Sequence, residues 1–383
     1  MECAREKIAR AAILTLPGIG SRRLRYLLAL FGSAIQAFDA AEERFPSGNR
    51  PSWMNVFQQS RKKLNLDELE QALSDQEILL VMPGEENYPP LLLECSDAPP
   101  LLFYKGMIDS GREGLAVVGS RRPTAYGRSA ASCLAGQLAG KGYVIVSGLA
   151  RGIDSAAHKG ALEAGGLTWA FLAGGLDRIY PPENRKLAAE IIENGALISE
   201  YPPGRPCEPG QFPARNRLIS GSARGVLVVE AAQKSGSLIT VDFALEQGRE
   251  VFAVPGPIFS EMSRGTHQLI RQGAKLVENV EDVLAEIKME NETLYSMKKE
   301  YEQSAQGQNI EKQKNGNTLF DHLDMKTENL QLLDYLSDVP LHIDTLALNC
   351  SMSPHTIALG LLELELQEIV KQLPGQYYVL ARR

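Results

Sequence analysis

Cysteine is scarce in this chain and scattered. Cys3, Cys95, Cys133, Cys207 and Cys350 form no C-x-x-C pair, and the five histidines (His158, His267, His322, His342, His355) are equally dispersed. That spacing offers neither a disulfide framework nor a zinc-ligand pattern, and no metal is expected. Long apolar runs are missing too, and the first ten residues mix acidic with basic side chains around no signal-peptide core. A cytoplasmic protein without membrane contact is the expectation. A surplus of positive charge is also lacking. With 40 Lys and Arg against 47 Asp and Glu, the net charge is −7. Any nucleic acid must therefore be held by a local basic site on an acidic background. No G-x-x-x-x-G-K-[ST] loop occurs, which excludes a P-loop NTPase at the motif level. The G-x-G-x-x-G fingerprint is replaced by GSRRPTAYG, which disfavours NAD and FAD chemistry, and no cofactor is expected.

What is present reads as four segments of a 383-residue chain. Residues 1–80 carry apolar positions at helical spacing, interrupted by Leu16-Pro17-Gly18-Ile19-Gly20. Residues 81–289 begin with a proline-rich connector that ends in a short strand from Leu101 to Tyr104. From Gly114 onward, apolar runs alternate with helical patterns: LAVVG, YVIVSG, TWAFLAGG, ALISEY, GVLVVEA, EVFAVPG and AKLVE. Strands apolar on both faces and separated by helices mean a mostly parallel sheet covered on both sides, a doubly wound α/β domain. Residues 290–324 are polar without periodicity and read as a flexible linker. Residues 325–383 outline two amphipathic helices and a strand–Pro-Gly–strand hairpin, the pattern of a winged helix.

Ligands of open α/β sheets bind beyond the carboxyl ends of the strands. The loops there are Gly119-Ser120-Arg121-Arg122, Ser147-Gly148-Leu149-Ala150-Arg151-Gly152, Gly174-Gly175-Leu176-Asp177, Phe212 to Arg217, and Lys234-Ser235-Gly236-Ser237. Glycine and serine admit close backbone approach, and the helices that follow aim N–H groups at a ligand. Arg121, Arg122, Arg151, Arg215, Arg217 and Lys234 add cations, the arginines with a planar fork suited to phosphate. Several separated phosphate sites on one rim suit a polyanion. Tyr126, Tyr180 and Phe212 lie near the rim as candidates for base stacking. Other readings stay open. Arg215 and Arg217 could pair with Glu200 or Glu230. Asp154 reads as a helix cap and Asp177 as a turn residue. His158, four residues after Asp154, reads as a packed histidine ahead of a general base.

These blocks resemble the DNA-processing protein A family, also called Smf. GSRRPTAYG (119–127), SGLARGIDSAAHKGAL (147–162), GGLDRIYPPEN (174–184), SEYPPG (199–204), FPARNRLISG (212–221), EAAQKSGSLIT (230–240) and EQGREVFAVPG (246–256) stand in the family's order. The resemblance implies a Rossmann-like domain that binds single-stranded DNA, dimerises, and helps load the recombinase RecA on incoming DNA during natural transformation. No catalysis is implied. It places DNA contacts at Arg121 and at Arg215, Asn216 and Arg217. The Ser-Gly-Ser loop places them at Ser235, Gly236 and Ser237, beside Lys234. Gly119, Ser120, Gly148, Arg151 and Gly152 complete the expected DNA-binding set from the strand-end census. Leu16 to Gly20 resembles a helix-hairpin-helix or SAM-like turn, with Arg22 and Arg23 adjacent, and a plain structural turn is the other reading. The C-terminal segment resembles the family's winged helix but has Gln367 where glycine is usual. TIALGLLELELQE holds no basic residue, so a protein-interaction module is favoured there over a duplex reader. The competing reading is a phosphoribohydrolase-like nucleotide enzyme. Its Gly-Gly-x-Gly-Thr-x-x-Glu loop would fall at Lys234 to Thr240, where the glutamate is missing.

Overall fold

The computed structural model describes residues 2–45, 52–288 and, within the C-terminal part, portions of 331–380. It divides into two compact units, Met1–Met297 and Lys298–Arg383. The expected linker at 290–324 and Gln367 lie outside the described residues. No helix among the described residues is long and apolar enough to cross a membrane.

The first unit opens with helices α1 (Glu2–Thr15) and α2 (Ser21–Phe31), separated where Pro17 and Gly18 stop the first and Gly20 caps the second. Arg23 turns back onto the Gly18 carbonyl and lies over the Trp53 ring, 5.4 Å from its centroid. One of the two cations expected beside that turn is therefore spent on the turn itself. Helices α3 (Ala34–Asp39), α4 (Ser52–Ser60) and α5 (Leu66–Asp75) follow.

The sheet has nine strands: β1 (Leu79–Val81), β2 (Leu102–Gly106), β3 (Gly114–Val118), β4 (Val144–Ser147), β5 (Thr168–Phe171), β6 (Gly195–Ser199), β7 (Gly225–Val228), β8 (Glu250–Ala253) and β9 (Lys275–Leu276). Their order is β1-β2-β6-β5-β4-β3-β7-β8-β9. β1 and β2 run antiparallel to their neighbours, and the rest are parallel. Every apolar run of the sequence became a strand. β1, only three residues long and half exposed, escaped the reading because it lacks a second buried face.

Alternation along each strand sorts side chains onto two faces. On β3, Ala116 and Val118 enter one apolar cluster and Leu115 and Val117 another. The first cluster runs under the whole sheet, from Tyr104 on β2 to Ala253 on β8. It is closed by α6 (Pro90–Leu93), α10 (Gln211–Gly221), α11 (Leu238–Glu246) and α12 (Arg264–Arg271). The opposite face is split. α7 (Ala125–Gly140), α8 (Ile153–Glu163) and a helix over residues 280–288 cover β3, β4, β7 and β8. The N-terminal helices and α9 (Arg185–Glu193) cover β2, β5 and β6, where Phe103, Ala170, Leu172 and Leu197 join Leu14, Leu24 and Phe57 in one core. The N-terminal helical segment is thus continuous with the core of the sheet.

In the second unit, β10 (Leu341–His342) and β11 (Val370–Leu373) both pair with β12 (Tyr377–Leu380), Val370 facing Leu380. A helix at Ile343–Cys350 follows β10, and Leu346, Ile357, Leu361 and Leu364 form its core.

Candidate nucleic-acid interface

Strand order reverses at β3, which carries β4 on one side and β7 on the other; Ala116 pairs with both Val146 and Val226. This is the position where open α/β sheets leave a crevice at their carboxyl ends. Backbone contacts draw the loops there together. Ser120 donates its N–H to the Glu230 carbonyl (2.7 Å) and accepts from Ile153 N–H (3.1 Å). The approach requires Gly152, whose φ is +82°. A Cβ at this position would lie 2.3 Å from the Ser120 carbonyl oxygen. Below the loops, the buried Glu230 carboxylate accepts from the Thr124 N–H (2.9 Å) and hydroxyl (2.6 Å), while Thr124 caps α7 through Gly127 N–H.

A cleft of about 740 Å³ opens over this crevice. Of the residues expected from sequence, it is lined by Gly119, Ser120, Arg121, Arg215, Asn216, Ser235, Gly236 and Ser237. Gly148 and Arg151 line a smaller adjoining cavity, and Gly152, Arg217 and Lys234 line neither. Arg121 is exposed, its guanidinium 5.1 Å above the Phe212 ring, and Tyr180 meets the same ring edge-on at 5.7 Å. Arg122 and Lys234 are exposed at the rim. Among the described residues these three cations make no ion pair. Ser235 and Ser237 bond through their hydroxyls (2.8 Å), and Asn216 reaches the Gly236 carbonyl (3.5 Å). A Cβ on Gly236 would meet nothing within 4 Å, so this glycine borders open space.

Three cations are placed otherwise than the sequence led one to expect. Arg217 is turned inward and bonded to Glu200 (2.6 Å) and Asp97 (3.2 Å), so the pairing alternative with Glu200 holds for it. Arg215 is only 3% exposed and donates through one nitrogen to the Gly148 and Phe171 carbonyls at the ends of β4 and β5. Its Nε has no partner, and burial pushes its pKa down to about 10. Arg151 is exposed but held by Glu183. Helix periodicity could not reveal Asp97 or Glu183, which lie on other loops. Gly148 stands in the census as a ligand-facing glycine. In the structure it makes room for Arg215, whose Nη1 would lie 2.3 Å from a Cβ there.

The acid–base candidates resolve into structure. Asp154 does not cap its helix, whose N-cap is Gly152. Its Oδ2 accepts from Gly148 N–H (3.2 Å) and Ala150 N–H (3.3 Å) and holds the β4 loop. Burial raises its pKa, opposed by the charge of Arg215 and by those two donors. Asp177 accepts from Gly204 N–H at 2.8 Å and ties two loops together. His158 is sealed from solvent against Thr168. Among the described residues no group of three His, Cys, Asp or Glu side chains is arranged to hold a metal.

The model of the DNA recombination-mediator protein A family matches residues 79–288, more than half of the chain. The chain belongs to that family. A DprA winged-helix model matches residues 325–376. Protein Smf of Escherichia coli is 41% identical over 305 residues, 79% of this chain and 78% of that protein. DNA processing protein DprA of Bacillus subtilis is 44% identical, over 57% of this chain and 75% of its own length. Solved structures of DprA proteins align with the chain. DprA from Streptococcus pneumoniae has a TM-score of 0.62 and 39% identity, covering 72% of this chain and 95% of that one. DNA processing protein A from Helicobacter pylori, described for its single-stranded DNA binding mode, has a TM-score of 0.50 and 32% identity. It covers 56% of this chain and 97% of that one. In this member of the DprA family, the site residues the sequence undervalued are Phe212 and Tyr180. Their edge-on arrangement comes from a loop meeting the first turn of α10, and sequence shows only that two aromatic residues exist.

Proposed function

We propose that the chain binds single-stranded DNA in the cleft at the β3–β7 crevice and acts as a recombination mediator without catalysis of its own. The observation that carries this is the pairing of a free cation with an aromatic face: Arg121 lies over Phe212, with Tyr180 at its edge. Such a platform takes phosphate and base together without choosing a sequence. Exposed Arg122 and Lys234 extend the positive rim, and the helix following each loop adds N–H donors. The non-catalytic reading is supported by the duties of Asp154 and His158, one bracing a loop and the other shut in the core.

The finer parts of this reading follow the family. The chain is a cytoplasmic homodimer joined through its Rossmann-like domain, and it hands DNA to RecA during natural transformation. The edge strand β9 supports the dimer, since Leu276 is 39% exposed there and Ile258 (76%) and Phe259 (92%) project nearby.

Fluorescence anisotropy of labelled dT oligomers and matching duplex, at two salt concentrations, tests the site. Neutralising about four phosphates gives a log–log salt slope near −3 for single strands. Arg121→Ala is expected to weaken binding about tenfold and to reduce the slope by about 0.7, equally on dT and mixed sequence. An indifferent variant would remove the cleft from consideration.

A further inference from the structure

Helix α2 buries Leu24, Leu27 and Phe31, and on its opposite face Arg22, Tyr26 and Leu30 follow one another at i, i+4 spacing. Tyr26 is 49% exposed and meets the Trp53 ring of α4 edge-on, 5.9 Å between centroids at 86°. The Arg23 guanidinium lies over that same ring at 5.4 Å. A cation above one aromatic ring with a second ring at its edge is the arrangement of Arg121, Phe212 and Tyr180 in the cleft. The chain thus builds it twice. Arg22 is exposed beside the second copy and, among the described residues, makes no ion pair. α2 carries three arginines and no acidic residue, and α4 carries no charged residue. In a chain of net charge −7, this two-helix face is basic and aromatic, the composition that recognises nucleic acid.

The face also adjoins the cleft. Ser21, where α2 begins, donates to Glu200 at 2.7 Å, and Arg217 of α10 bonds the same carboxylate. Phe212, which lines the cleft, lies only about 7.5 Å back along α10 from Arg217, at about 1.5 Å per residue. The acids at this junction are balanced, since Arg217 also answers Asp97 and Arg25 reaches the neighbouring Ser96 carbonyl at 2.8 Å.

Resting on the single-strand reading above, we propose that the α2–α4 face is a second stacking platform for single-stranded DNA. It takes bases on Tyr26 and Trp53 and phosphate on Arg22 where the strand leaves the cleft. Every base has a π-face, so this platform is as indifferent to sequence as the first. A strand long enough to reach both is held more tightly than a short one, because its second contact forms within the complex.

The test uses the full chain with dT oligomers of about 6 and about 20 nucleotides, lengths toward and beyond the two ends of the range of about 4 to 16 nucleotides for one small binding fold. The chain has two tryptophans and Trp169 is sealed in the core, so a base stacking at the surface is reported by Trp53 emission. The long oligomer is expected to quench that emission and the short one to leave it unchanged. Tyr26→Ala removes a half-exposed ring and leaves the buried side of α2 intact. It is expected to weaken the long oligomer about tenfold, the effect of one stacked base, without changing the short one. Arg22→Gln should lower the salt slope by about 0.7 on the long oligomer alone, whereas Arg121→Ala lowers it on both. Absence of quenching by the long oligomer, or wild-type affinity for it in Tyr26→Ala, would overturn the platform while the cleft stands. Equal weakening of both lengths in Tyr26→Ala would overturn it in favour of a purely structural ring. Failure of the unaltered chain to bind either length would sink both readings.

Discussion

Thr168 donates its hydroxyl proton to the Ile145 carbonyl at 2.6 Å, so the same oxygen, 2.7 Å from His158 Nδ1, must accept there. The imidazole is thereby fixed as the Nδ1–H tautomer, with Nε2 bare and buried. Burial first, and the charge of Arg215 second, push its pKa down to about 3 from the usual 6.5. The unfolded chain therefore binds a proton that the folded one refuses. Stability is complete above pH 6.5 and falls as the pH drops toward 3, by about 1.4 kcal/mol per pH unit once the unfolded histidine is fully charged. Urea unfolding at stepped pH is expected to show this loss, and His158→Gln should flatten the curve while costing about 1 kcal/mol at neutral pH. An equally steep curve in the variant would assign the acid sensitivity to other groups.

At the scale of elements, α10 divides its residues between two tasks. Phe212 and Asn216, one turn apart, face the cleft, whereas Leu218 is core and Arg217 reaches Glu200 and Asp97. Ser21 at the start of α2 donates to the same Glu200 carboxylate at 2.7 Å, so one buried acid locks α10 to the N-terminal helices. Arg217→Ala leaves that acid without its cation and should cost about 3 kcal/mol of stability. At a temperature where the variant remains folded, the salt slope of DNA binding should stay at the wild-type value, because no phosphate contact is lost. A slope reduced as in Arg121→Ala would return Arg217 to the interface. The strands themselves were readable from sequence because burial on both faces leaves a continuous apolar run. The rim loops after β3 and β4 were readable because glycine and arginine follow those strands closely. The direction of each arginine was not, since it depends on partners 17 and 120 residues away for Arg217 and 32 away for Arg151.

Across the whole molecule, net charge −7 disfavours contact with nucleic acid in general, while exposed Arg121, Arg122 and Lys234 gather cations on one rim. The sheet imposes a second whole-molecule constraint, since the face of β2, β5 and β6 has no complete cover without the N-terminal helices. A chain begun at residue 79 would bare part of the surface around Phe103 and Leu197. It is expected to bind a hydrophobic dye and to unfold at lower temperature than the full chain. An unchanged melting temperature would show that α9 alone closes that face.

The Ser21–Glu200 bond spans 179 residues, and this separation sets an order of events during synthesis. The helices leave the ribosome first, yet the strands that complete their core emerge on the order of ten to forty seconds later at ordinary elongation rates. Through that interval the N-terminal segment presents its apolar side to its surroundings. The newborn chain is therefore most open to chaperones before the cleft at the strand ends has been made.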